Sequence, residues 1–183
     1  GTPIENAEAR WPVFCEEILG RTVTDDPTDE EDNRVDLTFH VPTVGDSGLD
    51  DIRQGWDDTQ FGNLCYRLVE RFTRDDQLPL IGSVAGGRKT MSAHLITAFS
   101  VYARPNDRLT HVLVTDPDLE HDSSFFYPEP GSPRFRQLLD LVDIEFPRLR
   151  TLIEADLIED LPDDRRDLEG ILDALQPHID GAR

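Results

Sequence analysis

The run Leu78-Pro79-Leu80-Ile81-Gly82-Ser83-Val84-Ala85-Gly86-Gly87-Arg88-Lys89-Thr90-Met91 carries the architecture of the whole chain. Apolar residues from Leu78 to Val84 stop at two glycines, and small and apolar residues follow at helical spacing. This pattern predicts a buried strand, a tight turn and a helix from about Lys89 to Ala103. Downstream, Arg104-Pro105-Asn106-Asp107 reads as a turn and Leu109 to Thr115 as a second strand, completing a βαβ unit. Upstream, Phe61, Leu64, Cys65, Leu68, Val69 and Phe72 follow the i, i+3, i+4, i+7 rule, which predicts a helix over Asp57 to Arg74. Strands separated by helices imply an α/β fold with a mainly parallel sheet and helices on both faces.

Further out the signals are simpler. Thr2-Pro3-Ile4-Glu5 has the pattern of a helix start, and Ile4, Ala7, Trp11, Phe14, Cys15, Ile18 and Leu19 supply an apolar face that Pro12 should kink. The acidic stretch from Asp25 to Asn33 has no periodicity and reads as a solvated loop. Val35 to Val41 alternates apolar and polar residues as a strand does, ahead of a glycine-containing loop at Gly45 and Gly48. Beyond the loop from Asp116 to Pro133 the chain is expected to turn helical. Phe135, Leu138, Leu139 and Val142 form one stripe there, and Leu168, Ile171, Leu172 and Leu175 another. The expected organisation is a single domain over 1–183, with an α/β core over 1–132 and a helical tail over 133–183 packed on it.

The chain has 183 residues, enough for one full hydrophobic core, and carries 38 acidic against 18 basic side chains for a net charge of -20. Such a surface repels a polyanion, which argues against DNA as a partner. A small anionic ligand is still admissible, because salt screens distant charges beyond about 8 to 10 Å. Cys15 and Cys65 both lie on apolar stripes and read as buried thiols, as expected in a reducing compartment. No apolar run reaches membrane-spanning length, so the expected location is the cytoplasm.

The chemistry is expected at Ser83, Ala85, Gly86, Gly87, Arg88, Lys89, Thr90 and Met91. A strand ending in two glycines and passing into a helix brings backbone close to a ligand and aims the first free helical N–H groups at it. Arg88, Lys89 and the Thr90 hydroxyl add two cations and a donor, so the pattern suits phosphate. No Asp or Glu occurs between Asp76 and Asp107, which makes the segment an electropositive window in the sequence. The spacing is neither that of a Walker loop nor that of the three-glycine dinucleotide fingerprint. No serine elbow and no metal-ligand spacing stand out, so neither a metal nor another cofactor is expected. His94 is expected to be packed or at the surface, and His111 to be a satisfied core histidine. Phe125-Phe126-Tyr127-Pro128 reads either as a base-stacking platform or as a hydrophobic plug.

Six segments, in order and spacing, resemble the short CRISPR-associated Rossmann-fold (CARF) proteins of the ring nuclease type. They are Asp51-Ile52-Arg53, the run from Ser83 to Met91, Arg104 to Leu109, His111 to Val114, Phe125 to Pro128, and Asp143 to Arg150. The resemblance implies a homodimer whose paired glycine loops bind cyclic oligoadenylate, with cyclic tetra-adenylate matching a two-fold axis. It also implies metal-free cleavage by a ribose 2′-hydroxyl, with Lys89 and Arg88 as the catalytic cations. Similar proteins open with a first strand, a Gly-Leu-Ser-Pro-like ligand loop, a helix and a second strand. Those elements are expected outside this chain, supplied by a separate fragment or lost. Two alternatives stand beside cleavage: a sensor module that regulates a partner or effector without cutting, and an unrelated nucleotide-phosphate enzyme on a similar scaffold.

Overall fold

The computed structural model describes residues 11–13, 15–16, 38–44, 47–120, 138–151, 161–162 and 168–181. In chain order the described elements are β1 (Thr43–Val44), β2 (Ser47–Gly48), α1 (Gly55–Phe72), β3 (Ile81–Ser83), α2 (Lys89–Tyr102), β4 (Arg108–Val114), α3 (Pro117–Glu120), β5 (Leu139–Asp143) and α4 (Leu168–Gly181). The chain divides into two compact units, 1–40 with 115–138, and 41–114 with 139–183.

In the first unit, residues 11–13 and 15–16 are helical, as the amino-terminal pattern predicts, and Cys15 is buried with a free thiol. The single-turn helix α3 starts where the Asp116 carboxylate accepts the Asp118 N–H at 3.0 Å, a local bond that favours helix starts.

The second unit holds the α/β core. β3 and β4 are parallel neighbours joined through α2, so the expected βαβ unit is present. β5 then pairs antiparallel with β4, Thr110 opposite Asp143 and Val114 opposite Leu139. This corrects the helical assignment made from the stripe Phe135, Leu138, Leu139 and Val142. Leu139 and Val142 are half-buried while Asp140, Leu141 and Asp143 are exposed, and the edge of β4 not taken by β3 offers the segment a hydrogen-bonded partner. Among the described residues of the tail over 133–183, α4 is helical as expected; its Ile171 enters the core and it packs on α1.

The core gathers Cys65, Tyr66 and Val69 of α1, Ala98, Phe99, Val101 and Tyr102 of α2, Leu109 of β4 and Ile171 of α4. Tyr66 was not among the predicted apolar positions, yet it is 1% exposed and meets Tyr102 edge-on at 6.2 Å. Phe72 was among them and is largely exposed, because the inward face of α1 runs through Gly62, Cys65, Tyr66 and Val69. Two glycines let the layers close. A Cβ on Gly82 would lie 2.6 Å from Phe99, and one on Gly62 would lie 2.7 Å from the His94 ring.

β3 is not the fully buried strand that its apolar run suggests. Leu80 and Val84 pack towards the core and Gly82 lies under Phe99, while Ile81 is 62% exposed and Leu78 is 70% exposed. The strand is therefore half-buried with period two, since α2 covers one face of it. The predicted strand over Val35 to Val41 also changes. Residues 35–37 lie outside the description, Thr38 to Val41 are not strand, and pairing begins only at Thr43 after Pro42. Proline supplies no N–H to a ladder, which delays the pairing.

The other end of the β3–β4 layer is held by a buried ionic knot. Asp107 is 0% exposed and accepts N–H groups of Leu80 and Arg104, together with the Nε and Nη2 groups of the Arg104 guanidinium. Arg104 also donates to the carbonyls of Asp75 and Leu78. From the 144–150 segment, Arg148 donates to the carbonyls of Arg104 and Asp107, and Arg150 to those of Tyr102 and Thr73. Burial alone would raise the Asp107 carboxyl, but the Arg104 guanidinium and the two backbone N–H groups outweigh it and hold it below the usual range.

Candidate functional site

β3 ends at Ser83, and its continuation makes a tight turn into α2. The Ser83 hydroxyl accepts the Ala85 N–H at 3.3 Å, and Gly86 and Gly87 follow with φ of 85° and 76°. Only glycine takes that left-handed conformation without a steric penalty, so the pair is a backbone requirement of the turn. A Cβ on Gly86 would meet nothing within 4 Å, which leaves open space above the loop, whereas one on Gly87 would lie 2.6 Å from the Met91 sulfur. Met91 turns back on the loop, and its Sδ accepts the Arg88 N–H at 3.2 Å. Ser92 ties the first turn of α2 to the end of the strand through the Val84 carbonyl at 3.2 Å.

The backbone is thus arranged as the sequence suggested. Among the described residues no hydrogen bond uses the N–H of Gly86, Gly87, Lys89 or Thr90. These donors stand at the N-terminal, partially positive end of α2, where anions are favoured. Ser83, Ala85, Gly86, Gly87, Arg88, Lys89 and Thr90 are all exposed, and Met91 is half-buried. Lys89 has no ion-pair partner among the described residues.

The side chains differ from the simple cradle in one respect. The sequence has no acid near this segment, but α1 and the residues just before it bring two. Asp51 pairs side-on with Arg88, Oδ2 to Nη2 at 2.6 Å and Oδ1 to Nε at 2.9 Å. The Arg88 guanidinium holds the Asp51 carboxyl down at about 2, well under the usual carboxylate range. Asp58 on α1 takes the His94 ring at 2.9 Å, and the His94 ring and then the Thr90 hydroxyl keep its carboxyl below the usual range. His94 is accordingly a packed imidazole, lying against Gly62 and tilted to Phe61. It couples α2 to α1 and does not project from the loop.

Asp58 left no signal in the sequence, because the helical pattern treats a polar position at the start of α1 as a solvated one. Asp51 was visible only as part of the motif Asp51-Ile52-Arg53. His111 departs from the satisfied core histidine that was expected. It is half-buried in β4, and its Nδ1 has no hydrogen-bond partner among the described residues. Phe125-Phe126-Tyr127-Pro128 lies outside the described residues. The Arg104-to-Leu109 and Asp143-to-Arg150 motifs belong to the ionic knot and the β4–β5 pairing, and so serve the frame and not the loop.

No described helix is long and apolar enough to cross a membrane. Residues 32–167 match the family described as CRISPR-associated protein NE0113, a span that includes β1 to β5, the glycine turn and both acids that face it. No curated protein matches the chain.

Proposed function

The chain belongs to the CRISPR-associated protein NE0113 family, and from that premise we propose that it binds cyclic oligoadenylate, the second messenger of type III CRISPR systems, on its Ser83–Met91 loop. The observation that carries the proposal is the turn itself. Two left-handed glycines and open space over Gly86 stand at a helix N-terminus, with four N–H groups and Lys89 that have no hydrogen-bond or ion-pair partner among the described residues. Backbone donors of this kind suit the non-bridging oxygens of a phosphodiester. The working unit in this proposal is a homodimer, because a cyclic tetra-adenylate is itself two-fold compatible and an isologous interface presents the same loop twice.

The reaction proposed is cleavage without a metal. A ribose 2′-oxygen forms a bond to the adjacent phosphorus and the bond to the 5′-oxygen breaks. The 2′-hydroxyl proton leaves to water and the departing 5′-oxygen gains one, so the product ends in a 2′,3′-cyclic phosphate. Lys89 balances the charge that builds on the phosphorane, and the loop N–H groups hold its oxygens. Holding the 2′-hydroxyl in line with the leaving oxygen contributes further.

The test is incubation of purified protein with cyclic tetra-adenylate and cyclic hexa-adenylate, with and without EDTA, and mass analysis of the products. Shortened linear products in EDTA support cleavage. Binding with intact ligand moves the protein to the sensor alternative, and absence of binding refutes the proposal. Lys89→Ala is expected to slow cleavage by about 10² to 10³ with unchanged folding, the usual cost of removing one transition-state donor. Wild-type turnover in that variant would take Lys89 out of the mechanism.

A further inference from the structure

Arg88 is the side chain best suited to a phosphate, because a guanidinium presents two parallel N–H groups to two oxygens of one anion. That edge is already occupied. The Asp51 carboxylate lies along it through Nη2 at 2.6 Å and Nε at 2.9 Å, and the pair joins residues 37 apart in the chain. Two carboxylate oxygens meet a guanidinium in the same side-on manner as two non-bridging oxygens of a phosphodiester.

Asp51 is held at the surface by local contacts as well as by Arg88. Its Oδ1 also accepts the Ile52 N–H at 2.8 Å, and Arg53 Nε stands 3.5 Å from its Oδ2. The chain just after it is anchored, since Ile52 is buried and the N–H groups of Arg53 and Gln54 are both bonded to the Asp57 carboxylate. Asp50, just before it, is exposed. The ion pair itself is solvent-accessible, with side-chain exposures of 53% for Arg88 and 36% for Asp51. Exposed pairs of this kind contribute little to folding, so this one can open without unfolding the unit around it.

We propose that Asp51 is an internal stand-in for the ligand phosphate on Arg88, and that the loop takes its ligand by exchanging one anion for the other. This rests on the proposal that the loop binds a phosphate-bearing ligand. In the exchange the phosphodiester takes the Nε/Nη2 edge, the carboxylate swings off, and the Ile52 N–H loses its acceptor. A ligand without a full negative charge at that point leaves Asp51 in place, so the pair filters ligands by charge. Ligand occupancy is thereby read out in the Asp50–Ile52 segment in front of α1.

The test is a double-mutant cycle with cyclic tetra-adenylate, measured calorimetrically. Asp51→Asn is expected to tighten binding about 2- to 5-fold, the range that losing one exposed competing charge contributes. In an Arg88→Gln background the same change is expected to do nothing. Equal tightening in both backgrounds would mean that only the overall negative field was relieved, and would overturn the proposal. No tightening in either background would overturn it as well. A ligand-free arm reads the contact separately: Arg88→Gln is expected to speed amide exchange at Ile52, and an unchanged rate counts against the pair.

If cyclic tetra-adenylate binds no variant, the functional proposal falls, and the same cycle run with inorganic pyrophosphate decides the exchange by itself. Background-dependent tightening there upholds it. Any other pattern, including no binding, refutes it.

Discussion

Asp107→Ala tests the frame at its most concentrated point. The carboxylate has no solvent exposure and accepts four N–H groups, from Leu80 N at 2.8 Å, Arg104 N at 2.6 Å, Arg104 Nε at 3.0 Å and Arg104 Nη2 at 2.8 Å. Its removal strands a guanidinium whose side chain is only 10% exposed, together with the backbone N–H groups of Leu80 and Arg104. Breaking a buried pair by removing one partner costs about 3 to 5 kcal/mol. The low end applies here, near 3 kcal/mol, because Arg104 keeps the carbonyls of Asp75 and Leu78 as acceptors. At about 2 to 4 °C per kcal/mol for a chain of this size, Tm should fall by roughly 6 to 12 °C. Urea unfolding followed by circular dichroism gives the free energy directly. Asp143→Ala is the control, because its bonds to Arg108 lie in the open and should be worth at most about 1 kcal/mol. Asp107 precedes β4 while the glycine loop follows β3, so in this parallel pair they lie at opposite ends. Folded Asp107→Ala protein should therefore bind ligand as the parent does. A loss under about 1 kcal/mol, no larger than that of the control, would refute the claim that this knot holds the layer together.

The same group sets an acid dependence. A carboxyl whose folded pKa is lowered adds stability that is complete above its unfolded value, near 3.9, and fades as pH falls through the folded one. The gap in unfolding free energy between the parent and Asp107→Ala should therefore be constant at neutral pH and narrow only below about pH 4; a gap that narrows between pH 7 and 5 would contradict the assigned direction. The glycine pair separates two effects. Gly86→Ala and Gly87→Ala share a left-handed strain of about 1 to 2 kcal/mol, but only the second forces a methyl group onto Met91 Sδ. Thermal melts should therefore show the larger loss for Gly87→Ala, and equal losses would deny Met91 its part in shaping the turn.

Much of the frame was legible because it rests on local rules. The α1 pattern, the glycine turn and the α2 start each follow from a few neighbouring residues, and the structure places α1 and α2 within two residues of their expected ends. The errors fall where a neighbour distant in sequence governs the outcome. Leu139 to Asp143 form a strand because β4 has an edge to fill, and helical spacing alone could not reveal that edge. Ile81 and Leu78 are exposed because only one face of β3 meets α2, while an apolar run reads the same whether one face is covered or two. Tyr66 and Phe72 exchange roles because a helix face is set by what it packs on.

The backbone of the candidate site was equally readable, since left-handed turns have almost no residue but glycine to use. Its electrostatics were not. A window free of acids in the sequence becomes a loop faced by Asp51 and Asp58 in space, one bonded to Arg88 and the other to His94.

By itself, then, the order of residues determined the α/β class, the βαβ unit, the buried thiols and the position of the glycine turn ahead of α2, because conformational preference and periodicity act over a few residues. Only the tertiary structure decided which strand faces are covered, where β5 pairs, and which charges the loop meets. Burial and Coulomb energy depend on distance through space, and the 37 residues that separate Asp51 from Arg88 in the chain become a contact of 2.6 Å.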